Sequence, residues 1–344
     1  MEPEAKREAA KPADEHTKPR QWPFNLGCML VAVGFSLPYF GGADMEFAME
    51  NAEIWRGELW RFLLAPFVHG DVLHLAGNVY WIAQFGQPIE HRCRPALTAL
   101  LFAILCLGSG APEFLVTGVG GIGLSGVVYG YFGLLYAARR RHDPLGDVLD
   151  KRTIAWFAVW TVLCIGATLA EVWAIGNIAH LAGAVFGCLI GCALGSSRQR
   201  RWLTVIGCAT AVLTACTLYM PWESGWWWAR AVRQFDDRRP NEAYASLEAG
   251  LARVPDESAA GPFYFNLAVT ADALGDFQKA VTWFERAISV SDEPNNVRTQ
   301  LAYTYFRHGR ADRAREILRD LKPDDIDASI RDDAEFMQLM PSGE

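Results

Sequence analysis

From residue 24 to residue 220 the chain alternates long apolar runs with short connectors rich in glycine or arginine, and beyond that it becomes a charged, amphipathic sequence. Seven runs predict helices, at about 24–42, 72–90, 95–110, 123–138, 153–173, 178–195 and 202–220. A lone membrane span needs ~20 apolar residues, and several of these runs fall short. Short, glycine-rich spans are tolerated inside a bundle, and the fourth and sixth runs read that way. The first run begins only near Phe24 and lacks a small-residue cleavage site, so it reads as a retained membrane helix rather than a signal peptide. Residues 1–22 are polar and predict a disordered cytoplasmic segment.

Residues 227–321 predict helical pairs with a period near 34. Leu267, Ala268, Gly275, Ala280, Phe284 and Ala287 recur thirty-four residues on as Leu301, Ala302, Gly309, Ala314, Leu318 and Leu321. A weaker, earlier copy uses Trp227, Ala231, Ala243, Leu247 and Pro255. Small alanine positions let paired helices touch and glycine makes the turn, a pattern similar to the tetratricopeptide repeat. A generic helical hairpin domain is the plainer alternative.

Apolar residues make up 51% of the chain, near the soluble average, so their uneven distribution rather than their number marks the membrane half. Residues 1–220 balance 17 basic against 17 acidic groups, and the net charge of −7 sits in the tail. No basic surface patch points to nucleic acid. Lys and Arg set orientation. The amino-terminal segment and the second, fourth and sixth loops carry the bases: Arg92 and Arg94; Arg139, Arg140, Arg141, Lys151 and Arg152; Arg198, Arg200 and Arg201. The third and fifth loops carry none. The alternation predicts a cytoplasmic amino terminus and, after seven crossings, a tail outside. Trp226, Trp227 and Trp228 then fall where an interfacial aromatic belt is expected. The eight cysteines form no C-x-x-C pair and read as small apolar residues.

Polar residues recur at one depth. Ser125 lies fourteen residues before Arg139, and Asn78 fourteen before Arg92, each roughly 21 Å along a helix. His74 precedes Arg92, and His180 precedes Arg198, by eighteen residues, roughly 27 Å. All four converge near the outer edge of the apolar slab, where polar groups are costly and point to function. A serine needs a base within reach to become a nucleophile, and an imidazole supplies one near neutral pH. Ser125 and His180 therefore predict a Ser–His dyad. Asn78, His74 and the Ser125 N–H are candidate donors to an oxyanion. No carboxylate shares their depth; Glu90 and Glu171 lie nearer span ends. Gly123, Gly126 and Gly130 in the fourth run, and Gly183, Gly187 and Gly191 in the sixth, form small faces for close helix contact. Tyr129, one turn below Ser125, is expected to pack against His180.

Each motif has a plainer explanation. A Gly-x-Ser-Gly run also suits simple helix contact, and a buried histidine can be a satisfied core side chain. His69, His74 and His180 could instead bind a metal or haem, although no His-Glu-x-x-His motif accompanies them. His16, His91, His142 and His308 read as surface or loop residues. A solute transporter is disfavoured because no inverted repeats are visible and the polar groups cluster near one face rather than the midplane.

Over residues 24–195 the sequence resembles the rhomboid family. The resemblance rests on Glu58-Leu59-Trp60-Arg61-Phe62, His74-Leu75-Ala76-Gly77-Asn78, Gly123-Leu124-Ser125-Gly126-Val127-Val128-Tyr129-Gly130 and Asn177-Ile178-Ala179-His180-Leu181-Ala182-Gly183. It implies an intramembrane serine endopeptidase that cleaves peptide bonds in or near transmembrane helices, acts without a cofactor, and sits in a bacterial inner membrane. It also implies structural roles for Trp60 and Arg61 and a substrate gate at the fifth span and the loop around Trp173. Glu90 matches the family at the inner end of the second span. A catalytically silent relative that binds membrane clients is the alternative. The expected fold is all-α: an amino-terminal segment (1–22), a six-helix core (23–197), a seventh membrane helix (198–226) and a soluble helical-repeat domain (227–340). The expected partners are transmembrane protein substrates, the lipid bilayer, and a protein or peptide ligand of the repeats.

Overall fold

In a computed structural model, residues 22–49, 51–322, 325–326 and 330–340 are described. The amino-terminal segment expected to be disordered lies, apart from Trp22, outside them, as does His16. Every regular element among the described residues is helical. In chain order these are α1 (Pro23–Phe40), three short helices in the first loop (α2, Glu46–Met49; α3, Asn51–Trp55; α4, Arg61–Leu64), α5 (Val72–Trp81), α6 (Gln87–Thr117), α7 (Ser125–Arg140), α8 (Lys151–Leu169), α9 (Asn177–Leu194) and α10 (Gln199–Cys216). The tail follows as α11 (Ser224–Asp236), α12 (Pro240–Leu251), α13 (Gly261–Ala273), α14 (Phe277–Val290), α15 (Pro294–Arg307), α16 (Ala311–Leu318) and α17 (Ala334–Met337).

Four helical stretches are long and apolar enough to cross a membrane: Pro23–Phe40, Val72–Thr117, Lys151–Leu169 and Asn177–Leu194. The second runs for 46 residues, enough for two crossings, and it breaks where the sequence expects a loop: Arg94 has φ 65° and ψ 156°. A single π-turn, Ile82–Gly86, links α5 to α6. The short fourth and sixth spans are α7 and α9, and α7 is buried along most of its length.

The chain divides into two compact units. The first comprises residues 1–45, 65–109 and 122–208. At its centre α7 and α9 touch backbone to backbone. A Cβ on Gly183 would overlap the carbonyl of Gly126, one on Gly187 that of Gly130, and one on Gly191 would sit 2.6 Å from that of Leu134. From the other helix, a Cβ on Gly133 would overlap the carbonyl of Ala184. Glycines at four-residue steps on both helices produce this, since side chains three and four apart share a helix face. The start of α1 is tied down by Glu90 from α6. Its carboxylate accepts the N–H groups of Phe24 and Asn25, each at 2.9 Å, and the Asn25 amide at 2.8 Å. These are free helix-start donors, and the carboxylate also meets the positive end of the helix dipole. Tyr131 of α7 completes the knot by donating to Asn25 Oδ1 at 2.9 Å.

The second unit comprises residues 46–64, 110–121 and 209–344, so the first loop and the end of α6 group with the tail. α11 packs on α3. Gly225 leaves room for the Trp55 ring, Arg233 donates to the Trp55 carbonyl at 2.9 Å, and Trp55 Nε1 donates to Met220 Sδ at 3.4 Å. Arg56 pairs with Asp236 at 3.6 Å. Arg61 pairs with Glu58 and lies over the Trp60 ring. Two of the tryptophans where an interfacial belt is expected make contacts within the protein. Trp226 is buried, and the indoles of Trp226 and Trp227 donate to the carbonyls of Leu218 and Pro221, closing the turn between α10 and α11.

Helices α11–α16 form three hairpins. The repeat positions Ala231, Ala243, Leu247, Leu267, Ala268, Ala280, Phe284, Ala302, Ala314 and Leu318 are all buried. Gly275 and Gly309 make their turns with φ of +80° and +73°. In the first hairpin Arg238 takes that place with φ +59°, 37 residues before Gly275. The spacing between the first two copies is therefore three residues longer than the later 34, and a short 3-10 turn at Ser258–Ala260 falls in that longer connection.

Gly187→Leu should unfold the first unit or force α7 and α9 apart, a cost above ~3 kcal/mol because backbone and not a flexible side chain stands in the way. Unfolding of the full chain in mixed detergent measures it, and Gly207→Leu, with nothing within 4 Å, is the matched control.

Candidate active site

Ser125 is the first residue of α7, so its backbone N–H is one of the donors a helix start leaves without an intrahelical acceptor. His180 lies in the first turn of α9, which begins at Asn177. Because the glycine faces bring the two helices together, His180 Nε2 lies 2.9 Å from Ser125 Oγ. The Tyr129 ring lies flat on the imidazole, 4.3 Å between centroids and 12° between planes. Thr161 of α8 gives its only proton to the Phe157 carbonyl, so the Tyr129 hydroxyl is the donor in its 2.9 Å bond to Thr161 Oγ1. Tyr129 is thereby held from two sides, and it holds the imidazole.

His74 and Asn78 stand one turn apart on α5, whose start is capped by Asp71 accepting the His74 N–H at 2.8 Å. Both face Gly123, two residues before the serine. A Cβ at Gly123 would overlap the His74 ring and come within 3.4 Å of Asn78 Nδ2, and φ of +90° there also requires glycine. Gly126 faces Ser109 on α6, and Gly183 faces the Gly126 carbonyl. Asn177 donates to Thr168 Oγ1 at 2.7 Å, fixing the start of α9 to the end of α8. Ser125, His180, His74, Asn78, Tyr129, Gly123, Gly126, Gly183 and Asn177 thus gather at one end of the first unit. Trp60 and Arg61 belong to the second unit.

Asn78 Nδ2 and His180 Nδ1 are buried without a hydrogen-bond partner among the described residues. Buried polar atoms are nearly always satisfied, so two orphans in one site need an explanation. No carboxylate reaches His180 Nδ1. Among the described residues no three His, Cys, Asp or Glu side chains are grouped to hold a metal ion.

His69 was open in the sequence and here has a structural task. Ser36 Oγ donates to the Phe67 carbonyl at 3.2 Å and so accepts from His69 Nδ1, 3.0 Å away. That leaves Nε2 as the acceptor for the Leu124 N–H at 3.4 Å. His69 is fully buried and its ring meets that of His74 edge to face at 4.9 Å. It therefore anchors the residue before Ser125. In the sequence His69 is a candidate metal ligand and closes the run Pro66-Phe67-Val68-His69, which resembles the rhomboid first loop; its partners Ser36 and Leu124 carry no signal of this contact.

The arrangement defines a class: a polytopic helical membrane protein with a serine and a histidine paired inside the bundle. Residues 56–197 match the Rhomboid domain family, and residues 261–294 match a tetratricopeptide repeat. Residues 56–197 of this chain are thus similar to the Rhomboid domain, and part of its tail is similar to the repeat. The chain is 31% identical over 133 residues to the rhomboid protease GlpG of Serratia proteamaculans, covering 39% of this chain and 47% of that protein. It is 27% identical over 177 residues to those of Salmonella newport and Salmonella typhimurium, covering 50% of this chain and 62% of each. The chain thus spans between about half and under two thirds of these relatives.

His69→Ala should destabilise the full chain by roughly 1–3 kcal/mol, because the Leu124 N–H and the Ser36 hydroxyl each lose a partner in a buried setting. Ser36→Ala should cost less, about 1 kcal/mol, since it leaves His69 its bond to Leu124. Detergent unfolding midpoints of the two variants distinguish them.

Proposed function

We propose that this chain is an intramembrane serine endopeptidase acting on transmembrane protein substrates, with Ser125 as nucleophile and His180 as general base. The observation that carries the proposal is the 2.9 Å contact between Ser125 Oγ and His180 Nε2 inside an apolar bundle. As Oγ attacks the scissile carbonyl, Nε2 takes its proton, and the imidazolium later returns that proton to the leaving amine. The flat Tyr129 ring favours the imidazolium, because a cation over an aromatic face is stabilised. A dyad suffices without a third carboxylate, and the partnerless Nδ1 agrees with that. The tetrahedral oxyanion is received by the Ser125 N–H, Asn78 Nδ2 and the His74 ring. A donor left unpaired at rest, as Asn78 Nδ2 is, suits an acceptor that exists only during the reaction.

Peptide hydrolysis also needs water and an unwound substrate segment, both tolerated only where backbone lies in protein or a wet cavity. Of the four stretches long and apolar enough to cross a membrane, α8 is the least held by protein, 11% buried against 28–56% for the other three, which suits it to move for substrate entry. Loop charges support a cytoplasmic amino terminus. The contacts of α11 with α3 support a tail on the same side of the membrane as the first loop, hence outside. The division proposed here is by function rather than by packing: an amino-terminal segment to residue 22, a protease core of 23–197, a seventh membrane helix of 198–226 and a repeat domain of 227–340. The repeat domain binds substrates or partners there.

Ser125→Ala and His180→Ala should abolish cleavage of a transmembrane reporter by the purified full chain, and undiminished cleavage by either would exclude the dyad. Asn78→Ala should lower kcat by about 10²–10³-fold with KM little changed. Removing residues 228–344 should spare a minimal transmembrane substrate and slow a natural one; equal loss of both would assign the tail a purely structural role. A cysteine introduced in the tail should react with an impermeant reagent in intact cells, and reaction only after lysis would put the tail inside.

A further inference from the structure

At the end of the first unit away from the serine, α6, α7, α9 and the start of α10 enclose a cleft of about 120 Å³, bordered by Arg92, Arg94, Leu97, Asp143, Leu194 and Gln199. Ala138, in its wall, lies thirteen residues beyond Ser125 on α7, roughly 20 Å along the axis. The cleft is thus near the opposite edge of a ~30 Å apolar core.

Three observations single it out. Arg92 and Arg94 are exposed, and neither has a hydrogen bond or ion pair from its side chain among the described residues. Arg94 holds φ 65° and ψ 156°, a conformation almost confined to glycine and usually retained where a function holds it. The lining mixes this charge with apolar Leu97 and Leu194, as a molecule with a charged head and an oily tail requires. Nearby, Arg141 is already engaged, donating to the carbonyls of Cys192 and Gly195, and Asp143 has one oxygen committed to the Leu145 N–H. Arg198, Arg200 and Arg201 flank Gln199 and add positive potential. One carboxylate therefore faces two unpaired guanidinium groups.

We propose that this cleft binds the phosphate headgroup of an anionic phospholipid, with Arg92 and Arg94 on the phosphate and the acyl chains running up past Leu97 and Leu194. Guanidinium groups suit phosphate because their planar donor fork matches two oxygens, and basic pockets between membrane helices bind anionic headgroups. This rests on the membrane reading of the fold and not on the dyad.

The test is native mass spectrometry of the full chain released from micelles doped with phosphatidylglycerol, with phosphatidylcholine, or with inorganic phosphate alone. One phosphatidylglycerol should be retained in preference to phosphatidylcholine. Arg94→Gly should weaken that retention by about fivefold, while its unfolding midpoint in neutral detergent holds or rises, because glycine accepts the positive φ. Leu194→Trp, which fills the cleft without changing charge, should also lose the lipid. Arg200→Gln with Arg201→Gln should not. Equal retention of both lipids, equal loss in the Arg200/Arg201 variant, or equal occupancy by free phosphate would each overturn the lipid assignment.

Discussion

Everything at the serine depends on two helix backbones being allowed to touch. A hydrogen bond between side chains as short as serine and histidine on neighbouring helices requires an axial separation that ordinary residues forbid. The glycines of α7 and α9 remove the obstruction at successive turns, so the contact is a ladder rather than a single crossing. A ladder fixes rotation and sliding as well as distance. Moving either helix by one residue would drive Gly183 and Gly187 off the carbonyls they accommodate and turn Ser125 away from His180. In lipid the hydrophobic effect gives little reason for helices to associate, so close packing of this kind carries the association as well.

The second constraint is polar. Inside an apolar bundle each unmatched donor or acceptor is expensive. Glu90, Asn25 and Tyr131 meet that demand by closing on one another and on the start of α1. His69, Ser36, Phe67 and Leu124 do so on the approach to Ser125. Against that background the atoms left unmatched are informative. Of four buried side-chain orphans among the described residues, Asn78 Nδ2, His180 Nδ1 and Asn177 Oδ1 lie on α5 or in the first turn of α9. Three of the four thus lie on the two helices, α5 and α9, that carry polar side chains toward the Ser125 end of the first unit.

Much of this was legible in sequence because membrane helices announce themselves in one dimension. All seven apolar runs are helical, and four helical stretches are long and apolar enough to cross a membrane; the glycine spacing pointed to the α7–α9 contact. Depth, counted from arginines, brought Ser125, His180, His74 and Asn78 together. What stayed hidden were partners chosen by tertiary packing. Glu90 capping α1 joins residues 65 apart, and Trp55 meeting Met220 joins residues 165 apart. No local periodicity encodes either. The hydrogen bonds of Trp226 and Trp227 were hidden for a related reason: a tight turn whose carbonyls need donors leaves no periodic signal. The first repeat differed because Arg238 rather than glycine makes its turn, which hid the longer spacing of 37.

The packing of α11 on α3 ties the start of the tail to residues 46–64 and 110–121 within the second unit. Here Arg233 holds a first-loop carbonyl, Trp55 fills the space above Gly225, and Asn51 accepts the Gly120 N–H at 2.7 Å. The first loop, the end of α6 and the start of the repeats therefore share one packed body. Because these contacts are partly buried, the first loop and the start of the repeats order one another within that unit.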